Sequence, residues 1–247
     1  MTSYKMIALD MDGTLLNSDS LISDTNLQAL QDTIDAGIWV CLSTGRGIHS
    51  ITPFLDDLEG EVPIVAANGS EVWQNQHRLH SRVTMDPEQI EWLHELALRH
   101  DVWFWATTSE QVFNKDLWPE EPHREQWLKF GCYTEDEALL SELRHIFEEK
   151  DCFEITNSHP QNIELNPKGV NKASGLEQLC DIFELSMKDI VAMGDSLNDI
   201  AMIRAAGLGV AMGNAQDEVK RAADLTTLDN DQDGVAQIIR TVVLNQS

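Results

Sequence analysis

Short runs of consecutive apolar residues recur near both ends of the chain: Met6-Ile7-Ala8-Leu9, Trp39-Val40-Cys41-Leu42, Ile64-Val65-Ala66, Ile190-Val191-Ala192-Met193 and Leu208-Gly209-Val210-Ala211. Runs this short, β-branched and without polar alternation predict strands buried on both faces, as in a parallel sheet. Between them lie segments with helical spacing and cap signals. Ser23-Asp24 precedes Leu27, Leu30 and Ile34, and Gly37 follows as a stop. Strand and helix alternating in this way predict an α/β fold with a doubly wound, Rossmann-like parallel sheet, whose ligands sit beyond the carboxyl ends of the strands.

The pattern changes between about Val83 and Leu165. Pro87 to His100 reads as a helix, Val102 to Ala106 as a strand, and Thr134 to Lys150 as a second helix opened by a Thr134/Glu137 capping box. Cys152 to Thr156 and Asn162 to Leu165 then alternate as two strands around a Ser158-His159-Pro160-Gln161 turn. The expected organisation is a core of residues 1–82 and 166–247 with an α+β insertion of residues 83–165. The insertion holds Trp92, Trp103, Trp105, Trp118 and Trp127. Their spacing favours packed helix and strand positions over a surface for stacking on a sugar or base, with Trp118, beside Pro119, expected to be exposed.

With 247 residues and 42% hydrophobic content the chain can bury a full core. No apolar stretch approaches the roughly 18 residues of a membrane helix, and the N-terminal segment lacks a signal-peptide core. The expectation is therefore a cytoplasmic protein, monomeric or weakly dimeric, with no membrane partner. Cys41, Cys132, Cys152 and Cys180 are far apart and suggest neither disulfides nor a zinc knuckle. A formal charge of −25 opposes nucleic acid as a partner. It also means that any site for an anionic substrate needs a metal ion or a few placed cations.

Four segments carry candidate chemistry. In Asp10-Met11-Asp12-Gly13-Thr14 an apolar strand ends in two carboxylates at i and i+2, which share one side. They suit a nucleophile and a general acid/base, with Gly13 allowing a sharp turn beside an anion, or else they are ordinary acidic turn residues. Thr44-Gly45-Arg46 follows a second strand with a hydroxyl, a glycine and a guanidinium that suit a phosphate oxygen, although Thr44 also fits as a helix cap. Lys172, taken alone, reads as a solvated surface residue. In Gly194-Asp195-Ser196-Leu197-Asn198-Asp199 a strand empties into hard oxygen donors that suit Mg²⁺, or into helix-capping residues. Asn68-Gly69 either lines the cleft or forms a hairpin turn. No histidine sits inside a motif.

In this order the segments resemble the haloacid dehalogenase superfamily, specifically its Cof-like subfamily IIB phosphatases with an α+β (C2-type) cap. Ala67-Asn68-Gly69, the Gly209 to Ala215 run and Asp233-Gly234-Val235-Ala236 extend the resemblance to nearly the whole chain. It implies hydrolysis of a small phosphorylated metabolite through an aspartyl-phosphate on Asp10, with Asp12 as general acid and then base. Thr44, Gly45, Arg46, Lys172 and Asn198 are implied as phosphate contacts. Mg²⁺ is implied on Asp10, the Asp12 carbonyl and Asp195, with Asp199 either a ligand through water or an orienter of Lys172. A general acid at Asp12 argues against dehalogenation, since a halide leaves without a proton. Two alternatives remain open at this level: a phosphosugar mutase of the same superfamily, and a non-enzymatic phospho-aspartate switch.

Overall fold

The computed structural model describes residues 4–55, 58 and 60–245, and these form two sheets. Strands β1 (Met6–Leu9), β2 (Trp39–Ser43), β3 (Ile64–Ala66), β4 (Glu71–Asn75) and β5 (Arg78–Arg82) come first. Then follow β6 (Trp103–Thr108), β7 (Val112–Asn114), β8 (Trp127–Tyr133), β9 (Phe153–Thr156) and β10 (Asn162–Pro167). The chain closes with β11 (Ile190–Gly194), β12 (Leu208–Ala211) and β13 (Leu225–Thr226). The larger sheet runs β13-β12-β11-β1-β2-β3-β4-β5 and the smaller β7-β6-β8-β10-β9.

From β13 to β3 every pairing in the larger sheet is parallel, and β4 and β5 add an antiparallel edge. Strands β1, β2, β3, β11 and β12 are buried along nearly their whole length, which is why their sequences show no alternation. Ile7 and Leu9 pack with Leu30 of helix α1 (Asp24–Asp35), while Met6 and Ala8 face the opposite cluster. Ser23 caps α1 by accepting a hydrogen bond from the Asn26 amide. Because β1 pairs with β2 on one side and β11 on the other, the strand order reverses at β1, and a crevice opens at its carboxyl end.

The smaller sheet is antiparallel throughout. Helix α2 (Ile48–Leu55) belongs to the first body, whereas α3 (Pro87–Arg99) and α4 (Glu137–Lys150) cover one face of the small sheet. Leu93 and Phe147 on those helices pack with Phe104, Phe130, Ile163 and Leu165. Since side chains alternate along a strand, the residues between these apolar ones, Trp105, Thr107, Lys129 and Glu164, belong to the helix-free face. That face covers the crevice at β1. Ser70 Oγ donates to the Leu128 carbonyl at 2.7 Å, and Asn166 Nδ2 donates to the Ala67 carbonyl at 2.8 Å, so the two sheets are joined by buried hydrogen bonds.

Three local expectations are corrected. Helix α4 starts at Glu137 with Asp136 as its N-cap, whose carboxylate accepts from the amides of Ala138 and Leu139, so Thr134 and Glu137 do not form the capping box. The Thr134 hydroxyl instead accepts from the Asp136 amide and closes the preceding turn. Trp118 is not a free surface ring: it stacks on His94 at 4.1 Å and on Trp127 at 5.1 Å between ring centres. Its loop folds back over α3, where an indole buries more apolar area than any other side chain in the segment. Trp103, by contrast, is 41% exposed.

Candidate active site

Asp10 leaves β1 directly into the crevice, and its amide donates to the Met193 carbonyl of β11 at 3.0 Å. Gly13 takes a φ of +79°, and a Cβ there would lie 2.7 Å from Asp195 Oδ2. Any other residue at 13 would be strained and would push the two acidic strand ends apart. The turn carries Asp12 up to the surface, where its side chain is 56% exposed. Arg46 grips it with both arms, Nε at 2.7 Å and Nη2 at 2.6 Å from the two carboxylate oxygens.

Lys172, the first residue of helix α5 (Lys172–Phe183), has no exposed surface. Read alone it looked like a surface residue, but tertiary packing carries it under Asp10. Its ammonium donates to Asp10 Oδ1 and to Asp199 Oδ1, each at 2.6 Å. The other Asp199 oxygen accepts from the amides of Asp195 and Ser196 at 2.9 and 3.0 Å. Both Asp199 oxygens are thus engaged, one by Lys172 and the other by the turn, while Asp10 and Asp195 line the open cleft.

Burial pushes the Asp10 carboxyl well above its ordinary value, against the pull of Lys172 and with further upward push from Asp199 and Asp195. Burial, with Asp199 next, raises the Asp195 carboxyl to about 7. Burial alone would lower Lys172, yet contact with Asp10 and Asp199 raises it, so it stays charged. Four carboxylates, Asp10, Asp12, Asp195 and Asp199, face only two cations, Lys172 and Arg46. The two uncompensated negative charges match a divalent cation. Oxygens of Asp10, Asp195 and Asp199 lie within 4.8 Å of one another, an all-oxygen donor set suited to a hard metal ion.

Thr44 is fully buried, and its hydroxyl accepts from the Arg46 amide at 3.2 Å, closing the turn before α2 without capping that helix. Gly45 and Arg46 line the same cleft as Asp10 and Asp12, with a volume of about 290 Å³. Asn198 also lines it; its amide donates to Asn68 Oδ1 at 3.1 Å, while its own Oδ1 is buried without a partner among the described residues. Asn68 has a φ of 57° in the turn joining β3 to β4, and its side chain also reaches the cap. The turn reading of the Asn-Gly pair is thus realised, whereas Asn68 is buried behind the cleft and neither residue is among those that line it.

The cap contributes residues that the motifs do not contain. Lys129 Nζ donates to Glu164 Oε1 and to the Gly45 carbonyl, each at 2.8 Å. Glu164 also accepts from Asn68 at 2.8 Å and Ser158 at 3.0 Å. Burial works against the Glu164 carboxylate, yet Lys129 foremost and these donors hold it below its usual range. The available sequence signal was a charge set inside an apolar run, as in Leu128-Lys129-Phe130 and Ile163-Glu164-Leu165. Trp105, expected to be packed inside the cap, is half-buried and lines the cleft.

Comparison with known proteins agrees with this arrangement. A profile of the haloacid dehalogenase-like hydrolases matches residues 7–140 and 113–239. A 5-amino-6-(5-phospho-D-ribitylamino)uracil phosphatase of Bacillus subtilis is 44% identical over 240 residues, covering 97% of this chain and 96% of its own. A second phosphatase of the same name from that organism is 33% identical over 265 residues, covering 97% of each chain. A solved haloacid dehalogenase-like hydrolase from Bacillus subtilis superposes with a TM-score of 0.89 over 96% of this chain and 99% of its own; at 24% identity this speaks for the fold alone. With a strand-end aspartate pair, a buried lysine and an α+β cap in one chain, the protein belongs to the haloacid dehalogenase-like hydrolase family.

Proposed function

We propose that this protein is a cytoplasmic Mg²⁺-dependent phosphatase that works through an aspartyl-phosphate on Asp10, and that its substrate is 5-amino-6-(5-phospho-D-ribitylamino)uracil. The observation that carries the reaction is the clamp on Asp10: a fully buried ammonium at 2.6 Å holds its carboxylate at the mouth of a lidded cleft, beside Asp195. The substrate rests on relatives of that name that match nearly the whole chain.

In this reading an Asp10 oxygen attacks phosphorus in line with the leaving oxygen, while Asp12 gives that oxygen a proton. Asp12 then takes a proton from water as it attacks the phosphoryl group, releasing phosphate and restoring Asp10. Thr44, the Gly45 backbone, Lys172 and the Asn198 amide contact phosphoryl oxygens. Arg46 transfers from Asp12 to the incoming dianion, which frees Asp12 for proton transfer. Asp10, the Asp12 carbonyl and Asp195 hold the Mg²⁺, and Asp199 acts through Lys172. When bound, Mg²⁺ supplies positive charge that neutralises the phosphoryl oxygens. Residues 83–165 act as the lid over the 1–82 and 166–247 core and exclude water from the cleft.

Phosphate release should be measured on this compound beside pyridoxal phosphate, sugar phosphates and phosphoglycolate, with and without chelator. The proposed substrate should have the highest kcat/KM and no turnover in excess chelator. A better kcat/KM for any other member of the panel would overturn the substrate assignment. Full turnover by metal-free protein would overturn the metal.

A further inference from the structure

We infer that Trp105 is the stacking surface that selects substrates whose leaving group carries a flat heterocyclic ring. The inference rests on the phosphatase reading of the same cleft. In the cap sheet Gly131 is the direct cross-strand partner of Trp105 on one side and of Glu164 on the other, so the three form one row across β6, β8 and β10. A Cβ at position 131 would lie 2.3 Å from the indole, so the Trp105 ring lies over the one residue in that row without a side chain. This is the helix-free face of the sheet, and Trp105 lines the cleft that Asp10 and Asp12 also line.

Three other indoles of the cap have ring partners, Trp92 with Phe147 and Phe153 and Trp118 with Trp127, while Trp103 is 41% exposed and is not among the residues that line the cleft. Among the described residues Trp105 has no ring partner, and its ring is half-buried at the cleft. A flat π-system is the complement of such a surface. Beside it, Lys129 uses two of its three N–H donors on Gly45 and Glu164. An ammonium with a spare donor next to a carboxylate matches a ring edge that carries both a carbonyl and N–H groups. A wholly aliphatic leaving group would leave the indole face and the spare Lys129 donor unmatched.

The test uses two phosphomonoesters that share a phosphorylated ribityl chain and differ in the ring, 5-amino-6-(5-phospho-D-ribitylamino)uracil and ribitol 5-phosphate. Trp105→Leu should lower the ratio of their kcat/KM values by roughly 10–100-fold, mainly through KM of the ring compound, the range expected for loss of one stacking contact. Gly131→Val, which displaces the indole without removing it, should lower the same ratio, and Trp105→Phe should keep most of it. A ratio preserved within about twofold in Trp105→Leu, or a Trp105→Phe variant as impaired as Trp105→Leu, would overturn the inference. Titration with the dephosphorylated ring compound, followed by tryptophan fluorescence, reads Trp105 without turnover. Quenching in the wild type that is lost in Trp105→Leu supports stacking even if neither ester is hydrolysed, in which case only the phosphatase reading fails. Absence of quenching in the wild type overturns the stacking role even if phosphate is released.

Discussion

Asp199 and Lys172 meet at 2.6 Å with neither side chain exposed, and the second Asp199 oxygen is taken up by two backbone amides. A carboxylate used in this way aims the lysine and fixes the Asp195 turn. Asp199→Asn should therefore destabilise the fold by about 3 kcal/mol, since it removes one partner of a buried charge that keeps Asp10. It should leave Mg²⁺ affinity far less affected than Asp195→Asn does. Urea denaturation and calorimetric Mg²⁺ titration of both variants check this; equal losses of Mg²⁺ affinity would make Asp199 a ligand.

The two carboxylates of the opening motif should separate kinetically. Asp10→Asn should abolish both phosphate release and any acid-stable phosphoenzyme. Asp12→Asn should lower turnover of alkyl phosphates by about 10²–10⁴-fold and that of p-nitrophenyl phosphate much less, because nitrophenolate leaves without a proton. Equal losses on the two substrate types would assign Asp12 a structural role instead.

Metal and proton should compete at Asp195, whose carboxyl is raised from 3.8 to about 7 by burial and by Asp199. Between those values the folded chain holds more protons than the unfolded one, so this group's contribution to stability is full below 3.8 and is lost as pH rises through about 7. A bound divalent cation relieves the same repulsion only once the proton has left. The Tm increase produced by Mg²⁺ should accordingly grow from about pH 5.5 to about pH 8. Thermal scans with and without Mg²⁺ across that range would show it, and a constant increment would exclude Asp195 from the metal site.

Lys129 and Glu164 form a buried pair at 2.8 Å that also touches the first body through Gly45 and Asn68. Removing one member, as in Lys129→Met or Glu164→Gln, should cost about 3–5 kcal/mol. The Lys129→Met/Glu164→Met double variant should recover much of that loss, because no unpaired charge remains. A double-mutant cycle by chemical denaturation measures the coupling, and additive single losses would show that the two charges act independently.

The sequence by itself determined the architecture and where its chemistry begins. Uninterrupted apolar runs at 6–9, 39–42 and 190–193 can only be satisfied by burial on both faces, and each empties into polar residues at its carboxyl end, so the sheet and the positions of Asp10, Thr44 and Asp195 follow from local patterning. Tertiary structure decided which charges meet. Nothing near Lys172 in the chain distinguishes it from a surface lysine, because the carboxylates that make its burial tolerable stand 162 and 27 residues away. The same holds for Lys129 and Glu164, whose alternation marks a face but not what covers it, and for Trp105 and Trp118, one at the cleft and the other folded onto α3. Periodicity records which side of an element is turned from water, since that preference acts residue by residue along a few turns. The partner across the gap is chosen only when distant elements pack, and the energy of a buried charge or an open indole depends on that partner alone.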